Sequence, residues 1–362
     1  MGGDELEYVH EAFKTNWIAP LGPNVNTFEQ SIENYLKEQT RVAAVSSGTA
    51  AIHLALEILG IESGDEVICQ SFTFSASANP ICYLGARPIF VDSEKETWNM
   101  SPELLEEAIL ARISEGKRPK AIIAVHLYGM PYQVEKIHQI ALKHEIPVIE
   151  DSAEALGSTY RGIKCGTFGD IAILSFNGNK IITTSGGGAL VTKNQMIKEK
   201  AIYLATQARD EAPHYQHSCV GYNYRMSNVL AGIGCGQMKV LQERVEARRA
   251  NYNFYLRELE MVNGIEFLPE PKEFSSNRWL TCVLTPSFEV REKIRHMLLE
   301  ENIESRPLWK PLHLQPVFKN NEAFTDGTSE ELFDRGLCLP SGSNLTEEDL
   351  FRITDIIKNS QS

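Results

Sequence analysis

The sequence contains no long apolar run. Nothing in it approaches the ~20 consecutive apolar residues of a membrane-spanning helix, and its opening, MGGDELEYVH, is acidic where a secretory signal needs a basic region and then an apolar one. Cysteine pairing is also missing. Cys69, Cys82, Cys165, Cys219, Cys235, Cys282 and Cys338 are odd in number, scattered and never spaced C-x-x-C, which argues against a disulfide framework or zinc knuckle and predicts no bound metal. Positive charge is in deficit. With 48 Asp and Glu against 35 Lys and Arg, and a formal net charge of -13, neither nucleic acid nor a membrane surface is an expected partner, and an anionic substrate needs a local positive pocket. Neither G-x-x-x-x-G-K-[ST] nor G-x-G-x-x-G occurs, so nucleotide hydrolysis and dinucleotide binding lose their usual support. A reduced, cytoplasmic protein is expected.

What is present is the composition of a globular enzyme: 362 residues, 43% hydrophobic and 23% charged. At roughly 100 to 200 residues per domain, two or three domains are expected. From Arg41 to about Val191, short apolar runs alternate with amphipathic stretches, the order that builds a mostly parallel sheet covered by helices on both faces. The candidate strands are RVAAV, DEVIC, PIFVD, KAIIAVH, PVIED and IAILSF. Helical spacing runs from Ala50 to Leu59, Glu103 to Ile113 (capped by Ser101), Tyr132 to His144 and Gln195 to Ala205. GYNYRMSNVLAGIGCGQMKVLQERVEARRANYNFYL begins with small residues and turns strongly charged, as a long helix leaving one domain for another would. Beyond it, RWLTCVLT, a helix from Val290 to Glu300, GLCLP and a capped TEEDLFRITDIIK predict a smaller α+β domain. The expected division is 1–250 and 251–362.

Three places can carry chemistry. Ser46-Ser47-Gly48-Thr49-Ala50 lies between a strand and a helix, where free amides and the helix dipole suit an anion; a simple N-cap turn is the plainer alternative. Asp151 follows an apolar strand at the carboxyl edge of the sheet, where ligands bind in open α/β folds, or it caps a helix at SAEAL. Lys180, in LSFNGNKIITTSGGGALVT, follows a strand into the same crevice, and Gly186, Gly187 and Gly188 permit close backbone approach; most lysines, however, are surface residues. Together they describe one chemistry. An anion-binding helix end, a carboxylate for a pyridinium nitrogen and an imine-forming lysine are what pyridoxal 5'-phosphate requires.

With these features in place, the chain resembles the DegT/DnrJ/EryC1/StrS family of pyridoxal phosphate-dependent nucleotide-sugar aminotransferases. The matching segments are TNWIAPLGPNV, SSGTAAIHLAL, GDEVICQSFTFSASANPI, VIEDSAEALGS, SFNGNK, GYNYRMSNVLAGIG and PLHLQPVF. Within the family, NWIAPLG with SFNGNKIITTSGGGA most closely resembles the UDP-N-acetylbacillosamine-type 4-aminotransferases. The resemblance implies an aspartate-aminotransferase-like fold of type I, with a mostly parallel central sheet and a smaller C-terminal α+β domain. It places Lys180 at the cofactor-bearing lysine, Asp151 at the pyridinium partner and Phe74 at the aromatic that stacks on the ring. Gly48, Thr49 and Ser175 match phosphate contacts. Asn223 matches a residue that reaches the phosphate from the neighbouring subunit, so a homodimer with shared active sites is implied.

Glu154 and Asn177 depart from the wider family. Glu154 stands where His or Gln often contacts the cofactor's phenolic oxygen, and Asn177 where His often precedes the lysine. Trp17, Arg225 and His313 are candidates for the nucleotide-sugar pocket, with a core aromatic, a surface ion pair and a loop histidine as their plainer roles. Family members usually carry a short segment ahead of the position of MGGDE, so residues before Met1 are expected. The implied reaction moves an amino group from L-glutamate to the C4 keto group of a UDP-linked 4-keto-6-deoxy-N-acetylhexosamine. A GDP-4-keto-6-deoxymannose is the alternative acceptor. A sugar dehydratase would have His at the lysine position, and a non-catalytic regulator need not keep Asp151, Ser175 and Lys180 together.

Overall fold

Eight strands form the central sheet of the computed structural model, which describes residues 1–360. In space they run Arg41–Val45, Gly188–Thr192, Ile171–Ser175, Val148–Asp151, Ala121–Val125, Glu66–Gln70, Arg87–Val91 and Ala323–Phe324. Gly188–Thr192 is antiparallel to both neighbours, and the remaining pairs are parallel. The six expected strands are all here. Gly188–Thr192 is an addition, hidden in the sequence because a glycine triplet leads into it and glycine weakens strand propensity. The strands read as continuous apolar runs because both faces are covered. Ala43 and Val45 join one buried cluster with Ile52 and Leu54, whereas Val42 and Ala44 join another with Phe28 and Ile32.

The outer strand Arg41–Val45 would expose unpaired amides along its free edge. Two glutamates of the helix Pro23–Leu36 cover it: Glu33 accepts the Val42 N–H at 2.9 Å and Glu29 the Ala44 N–H at 2.8 Å. Lys198 lies 2.9 Å from Glu33 and Arg225 2.5 Å from Glu29, so the half-buried and the buried carboxylate are each neutralised where they work.

The small-residue helix and the charged helix are separate, Asn228–Lys239 and Leu241–Leu259, broken at Val240. This corrects the single long helix expected from the sequence. The first helix is held close to the N-terminal segment: a Cβ on Gly236 would come within 2.8 Å of the Glu5 backbone nitrogen, and one on Gly234 within 2.6 Å of the Phe28 ring. The second follows a different partner, the C-terminal helix Glu347–Asn359, and the break lets each half align with its own neighbour.

An antiparallel sheet of Glu266–Phe267, Thr281–Leu284, Gly336–Leu339 and Arg306–Pro307 lies in the C-terminal part, with helices Phe288–Glu300 and Glu347–Asn359 packed in the same core. The boundary expected after residue 250 falls inside the helix Leu241–Leu259. Moreover, residues 311–324 return to the large sheet: Leu312 and Phe318 enter its core, and Ala323–Phe324 pairs with Arg87–Val91. Among the described residues, no helix is long and apolar enough to cross a membrane.

Candidate active site

Register brings the chemistry together. Gly188 stands opposite Val45 on one side and Ser175 on the other, so Ser46-Ser47-Gly48 and Ser175 emerge at one edge of the sheet. Asp151 pairs with Val125 and Ile173 at the carboxyl ends of the parallel strands. A cavity of about 320 Å³ opens there, and its lining includes Gly48, Thr49, Phe74, Asp151, Glu154, Ser175, Asn177 and Lys180.

The floor is the N-terminus of the helix Gly48–Ile58. Ser47 caps it, its Oγ accepting the Ala50 N–H at 3.0 Å, so the N-cap expected as the plainer alternative is present. It leaves the amides of Gly48 and Thr49 without carbonyl partners in the first helical turn, the kind of position where an anion can be held. Little space is spare. A Cβ on Gly48 would approach the Ser175 Cβ to 3.1 Å, and the Ser46 amide is pinned by the Tyr224 carbonyl at 2.7 Å.

Asp151 is buried, with Oδ2 accepting from Ser77 Oγ at 2.7 Å and Oδ1 from the Ala153 N–H at 3.1 Å. The residues after it form turns, not a helix at SAEAL, so the carboxylate caps a turn while facing the cavity. Lys180 is not a surface lysine. Its side chain is 11% exposed and its Nζ lies 3.4 Å from Glu154 Oε1. Burial pushes the Glu154 carboxyl up from its ordinary value, against the pull of the Lys180 charge and the Tyr128 amide. Phe74 keeps half its surface exposed and sits 5.4 Å from Trp309, ring to ring, offering a flat apolar face at the cavity wall.

The glutamate next to Asp151 points away from the cavity. Glu150 is fully buried, where it accepts N–H bonds from Gly166, Phe168 and Gly169 and lies 2.7 Å from His126 Nε2. His126 Nδ1 in turn accepts the Tyr132 N–H at 3.1 Å. His126, Glu150 and Cys165 are close enough to resemble a metal-ligand set, yet the carboxylate and both ring nitrogens are already committed to tying loops behind the sheet.

Four sequence candidates are not brought to the cavity of their own chain. Arg225 Nη1 bonds Glu29 and the Ala44 carbonyl at 2.8 Å, supplying the cation that the covering carboxylate needs. His313 Nδ1 meets Ser71 Oγ at 2.7 Å and Nε2 lies 3.3 Å from Glu330, which fastens the 312–314 turn behind the Phe74 loop. Trp17 is 45% exposed, just beyond the helix Glu5–Lys14, and its carbonyl accepts from Asn228. Asn223 is exposed, in a bridge with Thr206. Conversely, Ser77, Trp279 and Trp309 line the cavity without having been singled out. Ser77 had a signal, three residues after Phe74 in SFTFSASAN; the tryptophans lie more than ninety residues beyond the other lining segments and had none.

The chain belongs to the DegT/DnrJ/EryC1/StrS aminotransferase family, which matches residues 1–358. It is 51% identical over 361 residues to the Bacillus subtilis protein named "Putative pyridoxal phosphate-dependent aminotransferase EpsN", covering 99% of this chain and 93% of that one. The GDP-perosamine synthase of Escherichia coli O157:H7 is 38% identical, with 98% and 95% covered. Among solved structures, a DegT DnrJ EryC1 StrS aminotransferase from Brucella abortus superposes with a TM-score of 0.92 at 30% identity, covering 98% of this chain and 95% of that one. The protein is a pyridoxal phosphate-dependent aminotransferase of fold type I.

Proposed function

We propose that the protein transfers an amino group from L-glutamate to the C4 keto group of a nucleotide-linked 4-keto-6-deoxy sugar, a UDP-linked N-acetylhexosamine by its NWIAPLG and SFNGNKIITTSGGGA segments. The observation that carries the reaction type is the meeting of Gly48, Thr49, Phe74, Asp151 and Lys180 in one cavity. When bound there, pyridoxal phosphate supplies an electron sink for the carbon bearing the amino group and carries that group between two half-reactions. Gly48, Thr49 and Ser175 would hold its phosphate. Asp151, fixed by Ser77 and the Ala153 amide, would keep the ring nitrogen protonated. Phe74 would pack against the ring. Lys180 would carry the cofactor, and its amine, when free, would take up the proton from the donor's α-carbon.

The charge in the cavity supports a shared site. Lys180 is the single cation among the lining residues, against the carboxylates of Asp151 and Glu154, whereas the cofactor and both substrates bring anionic groups. Further donors must come from outside this lining, and the exposed Asn223 is the residue we assign to the site of a second copy in a homodimer.

A GDP-linked 4-keto-6-deoxymannose is the second reading, favoured by relatives named GDP-perosamine synthase at 34% to 38% identity. The more similar B. subtilis protein bears a name that states no sugar. Ratios of kcat/KM with glutamate as donor separate the two, since specificity is differential transition-state binding. The UDP sugar is expected to lead by at least about tenfold, ~1.4 kcal/mol. A lead for the GDP sugar would replace the acceptor and leave the aminotransferase chemistry standing.

A further inference from the structure

Lys180 Nζ is flanked on two sides. Glu154 Oε1 is 3.4 Å away, and the centroid of the Trp279 ring lies 4.2 Å beneath it. Trp279 is 1% exposed and held at side chain and backbone: the indole Nε1–H donates to the Asn179 carbonyl at 2.7 Å and the backbone N–H donates to Asn277 Oδ1 at 2.9 Å. Asn277 Nδ2 then donates to the carbonyls of Glu154 and Leu156, each at 2.9 Å, so one side chain couples the indole to the segment carrying the carboxylate. The other oxygen of Glu154 accepts the Tyr128 N–H at 2.7 Å, and Tyr128 presents that amide from a left-handed backbone, φ 53°. Two chain segments thus meet at one amine, and a third, at Tyr128, fixes the carboxylate. A buried carboxylate and an aromatic face both attract an ammonium group, and the low dielectric of the site strengthens each attraction.

We propose that Glu154 and Trp279 form a holding site for the Lys180 amine while it is not bonded to the cofactor. The inference rests on the reading of Lys180 as the cofactor-bearing lysine. A flexible four-carbon side chain released into a cavity loses position through its rotamers. Held between Oε1 and the indole, it stays where it can remove a proton and afterwards re-form its bond. Burial that favours the neutral carboxyl of Glu154 also makes it a partner able to share a proton with the amine. Glu154 and Trp279 are positioning residues, acting through Lys180.

The test uses full-length, cofactor-free protein mixed rapidly with pyridoxal phosphate. Lys180 nitrogen adds to the aldehyde carbon, water leaves, and the change in cofactor absorbance gives a limiting first-order rate at saturation and a half-saturating concentration. Trp279→Leu and Glu154→Gln should each lower the limiting rate by roughly tenfold, the order of one desolvated cation–π or charge contact, with the half-saturating concentration little changed. Trp279→Phe keeps a ring face and should recover most of the rate, and with Glu154→Gln it decides the matter if the leucine variant does not fold. Unchanged limiting rates, or a loss confined to cofactor affinity, would overturn the holding site. Borohydride reduction and peptide mapping of the wild-type protein separate the two levels. Attachment at Lys180 with unaltered variant rates refutes this inference alone, whereas attachment at another lysine refutes the site reading as well.

Discussion

Gly186, Gly187 and Gly188 are adjacent in sequence and make three different demands on space, which turns Gly188→Ala into a sharp test of the anion cradle. A Cβ on Gly186 would meet nothing within 4 Å, and one on Gly187 would meet flexible side-chain ends, the Thr184 hydroxyl and Met226 Cε. On Gly188 it would lie 2.6 Å from the Ser47 carbonyl oxygen and closer still to the Gly48 nitrogen, where ordinary contact begins at 3.4 Å. The strand cannot retreat without breaking its ladders to Val45 and Ser175, so the 46–48 loop must give by most of an ångström. Overpacking of this kind costs ~1–3 kcal/mol, offset by ~0.4–1 kcal/mol from restricting the unfolded chain. The larger effect is on binding: misplacing the Gly48 amide forfeits a hydrogen bond to a charged group, ~1.5–3 kcal/mol, and weakens cofactor affinity about tenfold or more. Equilibrium titration of cofactor-free protein with pyridoxal phosphate, beside urea unfolding, measures both. Gly186→Ala is the control for stability and should leave the urea midpoint nearly unchanged. If Gly188→Ala bound the cofactor as tightly as wild type, the helix terminus at Gly48 would not be the phosphate site.

Asp151→Asn should keep the fold, since the amide oxygen can still accept from the Ala153 N–H while the amide NH2 donates to the Ser77 hydroxyl, and the activation barrier should rise by several kcal/mol, the order of a lost electrostatic stabiliser. Near wild-type turnover would leave Asp151 as a turn former only. Mixing Lys180→Ala with Asn223→Ala under subunit exchange should restore activity, because one site of each heterodimer has both wild-type residues; no recovery despite demonstrated exchange would refute the shared site. Glu5 offers a pH test away from the cavity. Burial opposes its ionisation, but the amides of Gly2 and Gly3 and the Gln237 side chain outweigh it and hold the carboxyl at about 2, below the ordinary 4.5. A depressed folded value means stability that is present above pH 4.5 and drains away as pH falls towards about 2. Glu5→Gln should therefore flatten the pH dependence of the urea midpoint across that window, and an undiminished slope would show that Glu5 does not cause it.

Much of the architecture is legible locally. RVAAV, PVIED and IAILSF announce themselves as strands because burial on both faces demands unbroken apolar runs, and Ser101 and Thr346 announce helix starts because a short hydroxyl side chain there satisfies free amides. The chemistry of the centre was equally available: an anion-binding turn, a carboxylate at a strand end and a lysine in a glycine-rich segment each carry a local signature, and their combination suits one cofactor. These features share a cause. Periodicity and caps record whether a residue meets water, core or its own backbone, and that information lies within a few positions along the chain.

Tertiary structure alone decided the partners. Arg225 looked free to bind a diphosphate, yet it serves Glu29, 196 residues away, because a helix covering the edge strand buries a carboxylate there. Trp279 reads as the start of a strand until the fold places it beneath Lys180. Three glycines look alike until one of them meets the Ser47-Gly48 backbone, and residues 311–324 read as part of the C-terminal unit until they return to the large sheet. A residue's type states what it can bind, but which partner it finds depends on the packing of segments far apart in the chain, and such contacts impose no pattern on the residues beside it.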